Sequence, residues 1–197
     1  MVLKPEPLFQ AVEHVYSLLP GTRRQVILLS PQGEKFDQSL AFQLARSPQI
    51  TLICGRYEGV DERVTEHLAT SAISIGDYVL SGGELAACVL LDAITRLVPG
   101  VLHNQSSAQR DSFGPSPDHR ITVQQRAALL DHPHYTRPEV FNGLKVPEVL
   151  LSGHHARIEA WRHKKALEKT LKNRPDLLKY EGLSGSDREL LKTEIER

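Results

Sequence analysis

Cysteine is scarce in this chain, with two in 197 residues. Cys54 and Cys88 each sit inside an apolar run without a CxxC neighbour or metal-ligand spacing. A disulfide scaffold and a cysteine-built metal site are therefore excluded, and two small buried side chains are expected. Long hydrophobic runs are missing too. No apolar stretch approaches the roughly 20 residues that cross a bilayer, so no membrane partner is expected. Met1-Val2-Leu3-Lys4-Pro5 lacks the profile of a secretory leader, and a cytoplasmic location follows as the expectation. Net charge is absent as well, since 24 basic residues balance 24 acidic ones. That balance argues against a surface coated in nucleic-acid-binding charge. Phosphate-wrapping strings are also lacking: neither GxxxxGK[ST] nor a glycine fingerprint directly after the first strand occurs, which sets aside the common nucleotide-binding loops.

What is present is an ordinary globular composition, long enough for one large or two small cores. Three units of one kind follow one another. Gln25 to Ser30 reads as a buried strand, Pro31-Gln32-Gly33 as a turn, and Asp37 as the N-cap of a helix carrying Leu40, Phe42, Leu44 and Ala45. Ile50 to Cys54 is the next strand, followed by a helix capped by Asp61 with Val64 and Leu68 inside. A third short strand, Ala72 to Ile75, leads through a glycine-rich loop to a helix opened by Glu84. There Leu85, Val89, Ala93 and Leu97 recur at helical spacing up to Pro99-Gly100. Continuous apolar strands alternating with helices predict an α/β fold whose parallel sheet is covered on both faces.

Composition changes after Leu102. Residues 103–125 are polar with Gly114, Pro115 and Pro117, and read as a linker. Gln125 to Leu130 is helical in pattern, His132 to Pro138 is a proline-rich turn, and Val146 to Leu151 is a short extended piece. Ser152 is placed to cap a long helix ending near Asn173 before Pro175, with Ala156, Ala160, Leu167 and Leu171 as its apolar stripe. The tail from Glu181 reads as one more charged, weakly anchored helix. From Leu151 to Tyr180 eight Lys/Arg stand against three acids. A basic stripe of this kind serves phosphate contacts, or is simply a solvated helix face.

Two glycine tracts carry the most information. Gly55-Arg56-Tyr57-Glu58-Gly59 and Ser74-Ile75-Gly76-Asp77-Tyr78-Val79-Leu80-Ser81-Gly82-Gly83-Glu84 each follow an apolar run and precede a helical pattern. Each sets bare backbone at a strand end, where main-chain N–H and C=O groups can hold a small ligand. Together with Leu29-Ser30-Pro31-Gln32-Gly33 they resemble, in wording and order, the cofactor loops of the tRNA (guanine-N1)-methyltransferases, the TrmD family of the SPOUT superfamily. Ala86 departs from the proline that usually follows SGGEL there.

That resemblance implies a SPOUT-type parallel sheet with a deep trefoil knot around residues 55–83, plus a small all-helical C-terminal domain. The implied boundaries are a cofactor domain at 1–102, a linker at 103–127 and a tRNA-binding domain at 128–197. It further implies S-adenosyl-L-methionine bound by Leu29, Ser30, Pro31, Gly33, Gly55, Tyr57, Glu58, Ser74, Ile75, Gly76, Tyr78, Leu80, Gly82 and Gly83, mostly through backbone. Main chain suits the donor and acceptor edge of adenine, and the Glu58 carboxylate suits the cationic methionine end.

Methylating N1 of guanine needs a base for the ring proton and a cation for charge spreading onto O6. Asp111, in Arg110-Asp111-Ser112-Phe113, falls on the family's EDSF aspartate, and Arg96 on its arginine. In this chain Arg110 replaces the usual Glu, and the stretch from Gly114 to Ala128 is longer than usual. Asp131-His132-Pro133-His134-Tyr135-Thr136-Arg137-Pro138 resembles the segment opening the RNA-gripping domain. His134, Tyr135, Arg137, Arg162 and Lys165 are the RNA-binding candidates, with rings to stack on bases and cations for phosphate. The neighbouring histidines lack a cysteine partner or HExxH spacing and are not read as a zinc site, while Trp161 is read as core.

The resemblance therefore implies transfer of a methyl group to N1 of the guanosine just 3′ of the tRNA anticodon, by a homodimer sharing each site across its interface. Mg²⁺ is a further cofactor of the family, without an evident ligand cluster here. Family members carry an N-terminal segment ahead of Met1, so the chain as given is expected to lack a central strand. Two rivals stand beside this reading. A SPOUT ribose 2′-O-methyltransferase would do without the DSF and PHYTRP segments, and a non-catalytic tRNA-binding remnant would bind tRNA without cofactor.

Overall fold

The computed structural model describes residues 1–18, 20–21, 23–102, 111–114, 129–178 and 183–195. It divides into two compact units, Met1–Gln105 and Ser106–Arg197.

The first unit is built on a three-stranded parallel sheet. β1 (Arg24–Lys35) lies between β2 (Gln49–Cys54) and β3 (Ser71–Ser74). Parallel neighbours need crossover helices, and helices on both faces demand strands apolar on both sides. Alternation along β1 divides the work. Val26 and Leu28 face one layer, where Val12 of α1 (Pro5–Leu18) and Val64 of α3 (Glu62–His67) meet them beside Ile53. Ile27 and Leu29 face the other, packed with Ala41 and Leu44 of α2 (Gln38–Leu44) and with Ala86, Leu90 and Ile94 of α4 (Glu84–Thr95). Asp37 and Asp61 act as the expected N-caps, their carboxylates accepting from the N–H groups of Leu40 and Arg63. The sequence reading assigns nothing to residues 5–18, which form α1.

Three expectations in this unit are corrected. Cys88 is exposed and Cys54 only partly buried, so the cysteines are not two small buried side chains. Pro31-Gln32-Gly33 is not a separate turn ending the strand. β1 runs on through it, and its pairing with β3 shifts so that Leu29 and Glu34 both stand opposite Ile73. Residues 30–33 thus bulge out of the ladder and return. On α4 the row Leu85, Val89 and Ala93 is not the core face, whereas Leu97, past the end of the helix, packs against the core. Leu85 is 66% exposed and Val89 48%, while Leu90 is fully buried between Ala86 and Ile94. Two adjacent apolar rows occur on this helix, and burial against Ile27 and Ile73 selects the second.

The second unit gathers Leu167 of α6 (His155–Asn173) with Leu183 and with Leu191 of α7 (Gly185–Ile195). The tail helix is accordingly anchored, and His163 Nε2 lies 2.7 Å from the Asp187 carboxylate. Burial raises the Asp187 pKa, but hydrogen bonds from His163 and Ser184 outweigh it and hold the carboxyl below its ordinary range. Along α6 the buried row is Ile158, Ala166, Leu167 and Thr170, so Ala156 and Ala160 lie outside. Ser152 does not cap this helix. It ends α5 (Glu148–Leu151), which replaces the expected extended piece, and its Oγ accepts from the His154 N–H.

This unit is not all-helical either. A hairpin of β4 (Val140–Phe141) and β5 (Leu144–Lys145) turns at Asn142-Gly143, both with positive φ. That is the backbone an Asn-Gly dipeptide favours in a two-residue hairpin turn, here closed by the apolar pair Phe141–Leu144. The expected helix from Gln125 lies outside the described residues except for Leu129 and Leu130, which are not helical.

Replacing fully buried Leu90 by Ala is expected to lower unfolding stability by about 2–5 kcal/mol in urea titration.

Candidate functional site

Three loops at the C-terminal ends of the parallel strands enclose a cavity of about 520 Å³, within the range of small-molecule sites. They are the bulge of β1, the β2–α3 loop and the β3–α4 loop. Leu29, Ser30, Pro31, Gly55, Tyr57, Glu58, Ser74, Ile75, Gly76, Tyr78, Leu80, Gly82 and Gly83 all line the cavity. Gly33 does not. A Cβ there would lie 2.4 Å from the backbone of Ala72 and Ile73, so this glycine lets the returning bulge lie against β3.

The loops are joined by main chain. Gly83 N–H donates to Gly55 C=O at 3.0 Å, and Arg56 bridges Gly82 in antiparallel fashion. A Cβ on Gly83 would come within 2.8 Å of Cys54 Cα. Over this join the Arg56 guanidinium places Nε and Nη2 each 2.8 Å from Glu84 Oε1. Glu84, at the start of α4, has its pKa lowered by its own N–H first and by Arg56 second. Farther along, the Ser74 hydroxyl accepts from Gly76 N–H and donates to Gly76 C=O, closing a turn at φ +149°. The Tyr78 ring leans on that glycine, and its hydroxyl donates to Ile75 C=O. Sequence reasoning missed Gln32, Arg56, Val60, Glu62 and Thr65 in the lining. Of these only Arg56 carried a signal, as a lone cation inside a glycine tract.

Arg96 caps the C-terminus of α4 in the first unit, its N–H bonded to Asp92 and Ile94 carbonyls. Asp111 belongs to the second unit. Its carbonyl accepts from Gly114 N–H, while Phe113 N–H donates to Leu129 C=O and Asp131 N–H donates to Ser112 Oγ. The tetrad 111–114 is therefore held along residues 129–131, with Phe113 at φ 64°. Arg110 lies outside the described residues.

In the second unit a cavity of about 920 Å³ is lined by residues 132–139 together with Arg162, and so by His134, Tyr135 and Arg137. Tyr135 leans toward Trp161, ring centroids 6.3 Å apart. Trp161 is thus half-buried against an exposed ring and not a full core residue. Lys165 lies outside the cavity and pairs with Glu168 at 2.6 Å, while Arg162 pairs with Glu159 at 2.7 Å. Part of the basic stripe is neutralised in this way, and Arg157, Lys169 and Lys172 stand outside these pairs. Among the described residues no helix is long and apolar enough to cross a membrane.

The chain matches a family model described as tRNA (Guanine-1)-methyltransferase TrmD over residues 1–180. It is 56% identical over 191 residues to a tRNA (guanine-N(1)-)-methyltransferase of Dehalococcoides mccartyi, spanning 97% of this chain and 72% of that protein. A Pelotomaculum thermopropionicum protein of the same name is 53% identical over 98% of this chain and 72% of its own length. One from Listeria welshimeri is 48% identical, over 98% and 74%.

The pocket geometry generates a direct expectation. Gly33→Ala drives a methyl group into β3 and is expected to lower the melting temperature, by calorimetry, far more than Gly21→Ala. No atom lies within 4 Å of a Cβ at Gly21, whose only obstacle to a side chain is its φ of +80°.

Proposed function

The chain belongs to the tRNA (guanine-1)-methyltransferase family, and we propose that the strand-end pocket of its first unit holds the methyl donor while its second unit grips the RNA. It methylates N1 of guanine in tRNA, and the family uses S-adenosylmethionine. The single observation that carries the pocket assignment is that three loops, pinned by the Gly83–Gly55 hydrogen bond and the Arg56–Glu84 pair, converge on one cavity. Every residue expected on the cofactor except Gly33 lines it, and Gly33 shapes it from behind. The close approaches of Gly33 to β3 and of Gly83 to Cys54 also support the tight interlacing that a trefoil knot demands.

S-adenosylmethionine supplies an electrophilic methyl group on a sulfonium. The protein's part is to orient that methyl toward N1, to take the N1 proton and to offset charge on O6. Asp111 takes the proton as N1 acquires its new bond to carbon, and Arg96 faces O6. The hydrogen bonds from Phe113 and to Ser112 support this role by fixing the tetrad that carries the base. His134, Tyr135, Arg137 and Arg162 on the wall of the second cavity, with Lys165 nearby, contact the anticodon stem-loop. The methylated base is the guanosine just 3′ of the anticodon, in a cytoplasmic tRNA. Mg²⁺ does not fit what is seen. Among the described residues the only close set of three potential ligands contains two imidazoles, which do not suit that ion, and no step passes through it.

The working unit is a homodimer with Asp111 of each chain serving its partner. Leu85, Val89 and Leu91 on the outer side of α4, with Val79 before it, are 48–83% exposed and make an apolar face suited to a second copy.

Methylation of a tRNA transcript tests the reading. Wild type is expected to methylate the transcript with a guanosine 3′ of the anticodon and not one with adenosine there. Asp111→Ala is expected to lower kcat by about 100-fold or more with little change in RNA affinity; equal activity in that variant removes the base assignment. Leu85→Glu combined with Val89→Glu is expected to sediment as a monomer and lose activity, and an unchanged dimer would reject this interface.

A further inference from the structure

The turn entering the RNA-binding half brings together a set of donor atoms to which the methyl-transfer reading gives no such use. Asp131, His132 and His134 each offer one ligand atom, and the three atoms lie within 4.8 Å of one another. His134 Nε2 stands 2.7 Å from Asp131 Oδ2, and His132 Nδ1 3.8 Å from Asp131 Oδ1. The two imidazoles are neighbours, ring centroids 4.5 Å apart. In sequence the spacing is Asp-His-Pro-His, which matches no common metal string, and only the fold shows that the three side chains converge.

Two features separate this group from a chance surface cluster. The side chains of Asp131 and His132 are only 22% and 17% exposed. The backbone beneath them is also fixed from two directions: Leu130 N–H donates to Thr170 Oγ1, on a residue with no exposed surface, and Asp131 N–H donates to Ser112 Oγ. Pro133 restricts the backbone between the two histidines. His132 and His134 belong to the wall of the 920 Å³ cavity, so a ligand position beyond the triad opens into that space.

We propose that Asp131, His132 and His134 form a binding site for a zinc-class divalent ion, with three protein ligands and an open fourth position. Two neutral imidazoles and one carboxylate suit borderline ions such as Zn²⁺ or Co²⁺, and disfavour Mg²⁺ or Ca²⁺. Metal–ligand bonds near 2.0–2.1 Å put donor atoms about 3.3 Å apart in a tetrahedral site. His134 Nε2 and His132 Nδ1 face different oxygens of Asp131, at 2.7 and 3.8 Å, so the side chains must rotate to bring one donor atom each to that spacing. Binding exchanges two existing contacts, His134 to Asp131 and His132 Nδ1 to Pro133 C=O at 3.2 Å, for bonds to the ion.

Cobalt titration of the full chain, stripped with chelator beforehand, tests this. The expected result is one Co²⁺ per chain, with visible d–d absorption of low-coordinate cobalt that stoichiometric Zn²⁺ bleaches. Asp131→Asn, which removes a charged ligand, is expected to weaken uptake by about 100-fold or more, beyond the loss typical of an outer-shell partner. His132→Gln, which keeps a partner for Pro133 C=O, is expected to weaken uptake while melting like wild type. His154→Ala with His155→Ala is expected to change nothing. Absence of the band in wild type overturns the site, as does a folded His132→Gln chain with an unaltered band, or loss of the band in the His154/His155 variant.

Discussion

The closest approaches of backbone to backbone govern the first unit. Where β1 returns to β3, Gly33 lies so near Ala72 and Ile73 that no side chain fits, and where the β3–α4 loop meets the end of β2, Gly83 meets Cys54 under the same constraint. Peptide groups crowd together at these crossings, and some hydrogen-bond one another, as Gly83 does with Gly55. We propose that remaining main-chain groups of the lining residues at the strand ends pair with a ligand that carries donor and acceptor edges. A pocket made this way needs few charged side chains, which fits a zwitterionic nucleoside with a sulfonium centre. The Arg56–Glu84 pair then ties the first loop to the start of the helix that ends the second.

That helix, α4, links four tasks along one rod. Its N-terminus abuts the pocket at Gly83 and Glu84; its buried row of Ala86, Leu90 and Ile94 closes the core on β1 and β3. Its outer row, Leu85 and Val89, remains apolar and exposed, and its C-cap is Arg96. A helix apolar on two faces is expensive for an isolated chain and sensible for one that pairs with a copy of itself. In the second unit an analogous chain of dependence runs through hydrogen bonds. Thr170, wholly buried in α6, holds Leu130; the next residue, Asp131, binds Ser112; and Ser112 adjoins Asp111. The position of the proposed base thereby rests on a long helix and not on the loop alone.

Much of this was legible in the residues. The three apolar runs, the caps Asp37 and Asp61, and the glycine tracts follow local rules, and each stands near its expected place. What sequence hid was set by tertiary contact. Periodicity offers two equally apolar rows on α4 and cannot say which one meets the sheet. Pro31 and Gly33 signal a turn equally well whether the strand stops or bulges and resumes. Ser152 is a good cap residue, yet Gly153 and His154 separate it from the helix, so its hydroxyl closes a local turn instead. The Asn142-Gly143 dipeptide is itself a hairpin signal, set in a segment whose strands are only two residues long. Arg56 carries a charge between glycines, but its partner Glu84 lies 28 residues away, beyond the reach of any local pattern.

The central claim is that main chain at three neighbouring strand ends holds the methyl donor. Isothermal titration with S-adenosylhomocysteine tests it most directly. Saturable binding by this chain is expected, abolished by Gly83→Val, whose side chain must intrude on Cys54. A chain that binds tRNA but takes up no S-adenosylhomocysteine contradicts the account.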